Sequence, residues 1–357
     1  MPHTLIAVMK FSKHLLAWYS NNKRDLPWRR TKDPYLIWLS EIIMQQTRIE
    51  QGTPYYRKFV TAYPTIRYLA TADEQEVLKL WQGLGYYSRA RNLHATAKAI
   101  VKDCGGIFPK TYSEIRNMKG VGDYTAAAIA SICFNLPHPV MDGNVLRFFS
   151  RLFGIAESID MSGTKKKILR IAAENIDHRN PGDFNQAMME FGAMVCTPSN
   201  PDCLNCTFRK NCIAYNNHMV DEIPVRNTKT AIRHRVLHYL VMTILDHGEE
   251  FIYLNKRSGN DIWKNLYDFP CIERVGDVKE HLVSEHEFHP ILKTAAPEFL
   301  EVSGPYTHLL THQKLHARFY RFHSEKMIDL PYVLIPLKNI HKYPIPKLID
   351  RYLSVTF

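Results

Sequence analysis

The feature that most limits what this chain can fold into is a run of four cysteines, Cys196, Cys203, Cys206 and Cys212, within 17 consecutive residues. Their spacing is Cys-x6-Cys-x2-Cys-x5-Cys. Four thiolates this close in sequence can wrap one compact metal centre, so the chain here must bend back on itself. Zinc and a 4Fe–4S cluster both accept four cysteines. Structural zinc more often uses two well-separated Cys-x2-Cys pairs, and a single tight loop suits iron–sulfur better. Arg209 and Lys210 sit inside the loop, where they could meet a phosphate or simply face solvent. Cys104, Cys133 and Cys271 are isolated, and a disulfide framework is out of keeping with a chain of 357 residues. The first ten residues lack the basic-then-apolar pattern of a secretory leader, so a cytoplasmic protein is expected.

A chain of this length predicts two domains, or three. Hydrophobic residues make up 45%, enough for real cores. No apolar run approaches the ~18 residues of a membrane span. Lys and Arg number 46 against 35 Asp and Glu, a net charge of +11, which suggests a polyanionic partner such as nucleic acid. Residues 1 to about 215 read as helical. Apolar positions recur at helical spacing in Tyr35, Trp38, Leu39 and Ile42, and again in Val145, Phe148, Phe149 and Leu152. Breaks are signalled at Asp33-Pro34, Gly52-Thr53-Pro54, Gly105-Gly106 and Asn180-Pro181-Gly182. Residues 216–231 are polar and basic and read as a linker. Beyond them alternation takes over, at Tyr239, Val241 and Thr243 and at Leu315, Ala317 and Phe319, predicting a smaller α+β domain over 232–357.

Three further segments carry chemistry. Gly120 and Gly122, in Lys119-Gly120-Val121-Gly122-Asp123-Tyr124, separate two helical patterns. Such a hairpin leaves backbone N–H groups exposed at a helix start, a ready anion site. Glu41 has Ile37, Trp38, Met44 and Gln45 as helical neighbours; the plain reading is a Glu on a narrow polar face or paired with an Arg, and the functional one a carboxylate whose pKa is raised by so apolar a surface and that acts as a general acid. Asp142 precedes the helix beginning near Val145; the plain reading is an N-cap, and the functional one an ionised carboxylate beside a developing cation.

Taken together, the cysteine spacing, the Gly-Val-Gly hairpin and the Asp142-Gly143-Asn144 turn resemble the helix–hairpin–helix DNA glycosylases. Leu26-Pro27-Trp28-Arg29, Ser40-Glu41 with Gln45-Gln46-Thr47, the stretch Gly83 to Leu93, and Phe184 to Ala193 are similar in particular to the adenine DNA glycosylase (MutY) family. The resemblance implies a six-helix barrel core about residues 30–135, a cluster domain from 1–29 plus 136–215, and a Nudix-like C-terminal domain. It implies excision of adenine mispaired with 8-oxoguanine or guanine, on double-stranded DNA, by a monomer associated with the bacterial nucleoid. Glu41 would protonate adenine and Asp142 would stabilise the cationic sugar, with Tyr124 and Asn144 beside it. Trp28, Arg29 and Glu190 would line the adenine pocket, and Gln46, Thr47 and Tyr86 would meet the base stack. Gly120 and Gly122 would hold a phosphate, and the four cysteines a 4Fe–4S cluster.

One position discriminates within that superfamily. Glycosylase/lyases carry a lysine after the hairpin, whose amine forms a Schiff base. Tyr124 stands there, so little or no lyase activity is expected. In the C-terminal part the resemblance places lesion sensing on Leu310, Thr311 and His312, where relatives often carry Phe-Ser-His. Leu310 cannot stack as an aromatic would. His308, His312 and His316 are spaced four apart but sit in loop and strand patterns, and are read as ordinary polar histidines.

Overall fold

The computed structural model describes residues 3–227, 232–274, 285–288, 292 and 297–357. Of the segment read as a linker, residues 228–231 lie outside the described residues. The chain forms two compact units, Met1–Thr71 with Asn92–Thr228, and Ala72–Arg91 with Lys229–Phe357. The N-terminal part is helical and the C-terminal part is a mixed sheet with one closing helix, the class the sequence predicts. Among the described residues, no helix is long and apolar enough to cross a membrane.

The helices begin where local chemistry satisfies their free N–H groups. Helix α1 covers His3–Asn22 and α2 covers Pro34–Met44. Asp33 caps α2 by accepting from Tyr35 N, with Pro34 in the first turn, so the Asp-Pro signal starts a helix. Helix α3 (Ile49–Ala62) runs straight through Gly52-Thr53-Pro54, which the sequence marked as a break. Pro54 lies in the second turn and costs the helix a single hydrogen bond, to Glu50 O. Buried Gly52 meanwhile admits Met44, whose Sδ lies 2.6 Å from where a Cβ would stand. Then come α4 (Ile66–Thr71), α5 (Glu74–Trp81), α6 (Ser88–Cys104), α7 (Tyr112–Arg116), which carries a Thr111/Glu114 capping box, and α8 (Asp123–Phe134). Helix α9 spans Gly143–Phe153, α10 Ser162–Asn175, α11 Pro181–Met194 and α12 Ile213–Asn216.

The core of the helical unit is aromatic. Phe148 and Phe149 of α9 pack with Phe11, Phe184, Phe191 and Phe208, all buried. Helix α9 is bounded by Asp142 as N-cap and by Gly154 in the left-handed region (φ 63°), and it buries Val145, Phe148, Phe149 and Leu152 as their spacing predicts. Helix α11 crosses α9 at Gly192. Residues 217–227 stay with this unit: Ile223 is buried, and Ile159 N donates to Val225 O at 3.0 Å.

In the second unit, strands β1 (Arg233–Asp246) and β6 (Gln313–Ser324) run parallel at the centre of the sheet. Beside them lie β2 (Glu249–Lys256), β3 (Tyr267–Asp268), β4 (Cys271–Arg274), β5 (Glu298–Leu309) and β7 (Val333–Pro336), with order β3-β2-β1-β6-β5. Strand β1 is buried on both faces from Arg235 to Ile244, beyond the one-sided alternation that the sequence suggested, because it is central. Helix α13 (Lys347–Thr356) covers the sheet through Tyr352, stacked on Phe319 with ring centroids 3.8 Å apart.

A Cβ at residue 192 would stand 2.7 Å from Asn144 O and 2.9 Å from Asn144 C, backbone atoms that cannot move aside. Gly192→Ala should therefore destabilise the protein by roughly 1–3 kcal/mol in chemical denaturation, against the roughly 1 kcal/mol gain usual for this change inside a helix. A more stable variant would disprove that α9 and α11 touch here.

Candidate active site

The helical unit brings Glu41, Tyr124, Asp142 and Asn144 together. Glu41 sits in the last turns of α2, and Tyr124 is the second residue of α8, directly after the glycine hairpin. Gln45 Nε2 donates to Thr125 Oγ1 at 3.2 Å and fastens the two helices beside the site. Burial pushes the Glu41 carboxyl up, a hydrogen bond with the Tyr124 hydroxyl pulls it back, and the Asp142 charge pushes it further, to about 7. Tyr124 is likewise held far above the ordinary phenol value by burial and by both carboxylates, and its Oη lies 3.1 Å from Met189 Sδ.

Asp142 is both a cap and a site residue. One oxygen accepts from Val145 N at 2.7 Å, and the other from Asn144 Nδ2 at 2.7 Å. Burial pushes Asp142 upward; these bonds and the Arg147 charge oppose it, and the net direction is up. The charge expected of Asp142 thus depends on its donors. Arg147, buried, continues the chain of contacts: its Nη2 donates to Asn144 Oδ1 (2.8 Å) and Gly192 O (2.6 Å), and its Nε to Cys196 O (2.7 Å). One turn on, Arg151 donates to Thr197 O and Ile223 O, both at 2.7 Å.

Glu190 is only 1% exposed. Arg24 Nη2 lies 2.6 Å and Arg29 Nη2 2.8 Å from its Oε2, while Arg24 N, Arg24 Nε and Arg29 Nη1 all reach Oε1 at 2.9 Å. Burial would raise this carboxyl, but these donors hold it down at about 2. Trp28 packs edge-on against Tyr56, and with Arg29 it lines a cavity of about 260 Å³ that includes Lys32, Asn135, Asp183 and Gln186. Glu41, Asp142 and Glu190 are not in the walls of that cavity.

The hairpin needs Gly120 for its left-handed turn (φ 79°), whereas Gly122 is the extended N-cap of α8. Thr96 Oγ1 donates to Lys119 O and Arg116 Nη1 to Val121 O, at 2.9 and 3.1 Å, bracing it. Gln46 is exposed with φ 54°, a conformation uncommon outside glycine, just past α2; Thr47, half-buried beside it, donates to Gln45 O.

The four cysteines line a common cleft with about 20 Å³ of free volume, walled by Phe148, Phe191, Phe208 and Arg151. Four thiols lining one apolar cleft are the donor set that either a zinc ion or an iron–sulfur cluster takes. His308, His312 and His316 do not converge, and among the described residues no three His, Cys, Asp or Glu side chains are grouped to hold one metal ion.

In the second unit, Tyr86 is held at φ 48°, is 43% exposed, and its hydroxyl is hydrogen-bonded to Thr311. The two residues share a groove of about 730 Å³ with Arg91, Arg233, His308, Leu310 and His312. Leu309, on the same groove, is 66% exposed, while Leu310 is half-buried.

Sequence reasoning missed Arg24, Arg147 and Leu309. Arg147 could have been found from Asn144, three residues before it on the same helical face; Arg24 and Leu309 carry no local signal.

A helix–hairpin–helix flanked by a cysteine cleft, with two interacting carboxylates, in a chain that also carries a sheet domain, defines a class. Residues 39–176 match the HhH-GPD superfamily base excision DNA repair protein family, and residues 240–355 match the NUDIX domain. A thermostable thymine-DNA glycosylase structure is 29% identical with a TM-score of 0.55, covering 59% of this chain and 97% of that one. An adenine DNA glycosylase of Buchnera aphidicola subsp. Acyrthosiphon pisum (strain APS) is 34% identical over 93% of this chain and 90% of that protein. A second, of Buchnera aphidicola subsp. Schizaphis graminum (strain Sg), is 30% identical over 98% of this chain and 99% of that protein. The adenine DNA glycosylase of Homo sapiens is 41% identical over 58% of this chain and 40% of that one. The chain belongs to the adenine DNA glycosylase family.

The Glu41 proton binds more tightly in the folded chain than at the ordinary value of 4.5, so stability is lost as pH climbs from about 4.5 through about 7. Glu41→Gln, which cannot ionise, should exceed the parent protein by up to about 3 kcal/mol above pH 7, at ~1.4 kcal/mol per pKa unit, with the gap closing towards pH 4. Equal denaturation midpoints across that range would show an ordinary carboxylate.

Proposed function

We propose that the protein is a monofunctional adenine DNA glycosylase acting on double-stranded DNA, taking adenine from mispairs with 8-oxoguanine and with guanine. The observation that carries this reading is the meeting of a raised glutamate, a donor-supported aspartate and a phenol at the start of α8. The relatives' name supplies the base.

A base inside a duplex cannot be reached, so adenine leaves the stack first, at a cost of a few kcal/mol that a mispair lowers. Glu41, neutral below about pH 7, has a proton to give to the purine ring as the N-glycosidic bond lengthens. Asp142 as its carboxylate faces the sugar as positive charge develops, the division of labour found in two-carboxylate glycosidases. Tyr124 keeps Glu41 in place, and Asn144 does the same for Asp142. Water completes hydrolysis and leaves an abasic site. A phenol forms no imine, so the strand stays intact. Trp28 and Arg29 form the pocket wall, with Glu190 holding Arg29 in place, Gly120 and Gly122 present N–H groups to a backbone phosphate, and Gln46, Thr47 and Tyr86 enter the opened stack. Thr311, with Leu310 and His312, reads the base opposite.

Cys196, Cys203, Cys206 and Cys212 would hold a 4Fe–4S cluster, which cross-links the end of α11 to α12 when bound. The domain division read from the sequence, 1–215, 216–231 and 232–357, is carried with this proposal. So are the monomeric state and the cytoplasmic, nucleoid-associated location.

Single-turnover assays on duplexes with adenine opposite 8-oxoguanine should show base release that falls about tenfold per pH unit above about pH 7. Glu41→Gln should bind the duplex and release nothing, and borohydride should trap no covalent complex. A lack of release by intact parent protein would end the proposal. Separately, iron and acid-labile sulfide should each reach about four per chain with visible absorption, and Cys206→Ala should lose both; stoichiometric zinc instead would refute the cluster.

A further inference from the structure

We propose that Arg235, acting through Gln313, is a positioning residue for the lesion-reading groove; the inference rests on the reading just given and extends it. Arg235 lies on β1 and is 5% exposed. A guanidinium has five N–H donors in a fixed fork, and burial requires each to find an acceptor. Glu273 takes two, from Nε and Nη2, both at 2.7 Å. Asp261 takes two more, from Nη1 and Nη2, both at 3.0 Å. The fifth is met by Gln313 Oε1, 3.0 Å from Nη1.

Asp261 is itself anchored, since it also accepts from Arg257 Nη2 and Ile262 N at 2.7 Å, and Glu273 lies on β4, which pairs with β1. Only Gln313 lies on the hairpin that joins β5 to β6, and Asp261 and Gln313 are both walls of the groove. The hairpin closes by Leu310 N donating to Gln313 O at 2.8 Å, and Arg233 N donates to His312 O at 3.0 Å. Thr311 stands between these fixed points and meets Tyr86. The last donor of a buried cation therefore sets where the hairpin tip stands, and with it the Thr311–Tyr86 contact. Lysine could not replace Arg235, having three donors and no fork.

Removing Arg235 would strand two carboxylates, so the hairpin arm is tested alone in the full-length protein. Gln313→Met leaves the fifth donor unmet; Gln313→Glu restores an acceptor. Amide exchange at residues 310–313 should quicken about tenfold or more in Gln313→Met, with β1 amides unchanged. The ratio of adenine release opposite 8-oxoguanine to release opposite guanine should fall about fivefold, and Gln313→Glu should restore both. Unchanged exchange and ratio in Gln313→Met, or equal effects in both variants, overturns the inference. If the parent protein releases no adenine from either duplex, the proposed function fails, and exchange alone still decides whether Gln313 positions the hairpin.

Discussion

Burial strips water from three carboxylates of the helical unit, and the donors each receives in return set its charge. Glu190 receives five N–H groups from two arginines and stays far below the ordinary range. Asp142 receives backbone and amide donors and a nearby guanidinium, and is only partly compensated. Glu41 receives one phenol and the repulsion of Asp142, and rises to about 7. The same burial thus yields a fixed anion, a carboxyl that is raised despite its donors, and an acid. The Asp142 charge is among the causes that raise Glu41, so neutralising Asp142 would lower the Glu41 titration.

Helix α9 is where fold and site become one problem. Its cap is Asp142, its apolar face is the aromatic core, and its polar side carries Arg147 and Arg151 to the carbonyls of the cysteine loop. Arg147 touches Asn144, which touches Asp142, so the loop at Cys196 is three contacts from the carboxylate. Gly192 on α11 lets the two helices come close enough for Arg147 to reach Gly192 O.

Much of this was legible in the sequence because it is local. Apolar spacing gave the buried face of α9, Asp142 before Val145 gave the cap, and the glycine pair gave the hairpin. Gly52-Thr53-Pro54 misled because a proline early in a helix loses little, and because the glycine there answers to Met44 on α2 rather than to a turn. Strand β1 showed alternation but is buried on both faces, since sheet order is not written in a strand's own pattern. Arg24 escaped notice because its partner is 166 residues away. Leu309 escaped because exposure at a hairpin tip depends on how β5 and β6 pair, and the family pattern draws attention to Leu310 instead.

Donor counting also separates buried charges that hold shape from those that do chemistry. Arg235 has all five donors met, Glu190 accepts five hydrogen bonds, and Arg257 is held between Asp261 and Asp268; each is fixed by partners within the protein. Glu41 is the opposite case, a carboxyl with one protein donor and a proton to give near neutral pH. A saturated ion network is costly to break and poor at responding, which suits a hairpin that must stand still. An under-satisfied acid gains when a substrate supplies the missing acceptor, so the interaction grows as the bond to the leaving base weakens, which is the condition for catalysis as opposed to mere binding.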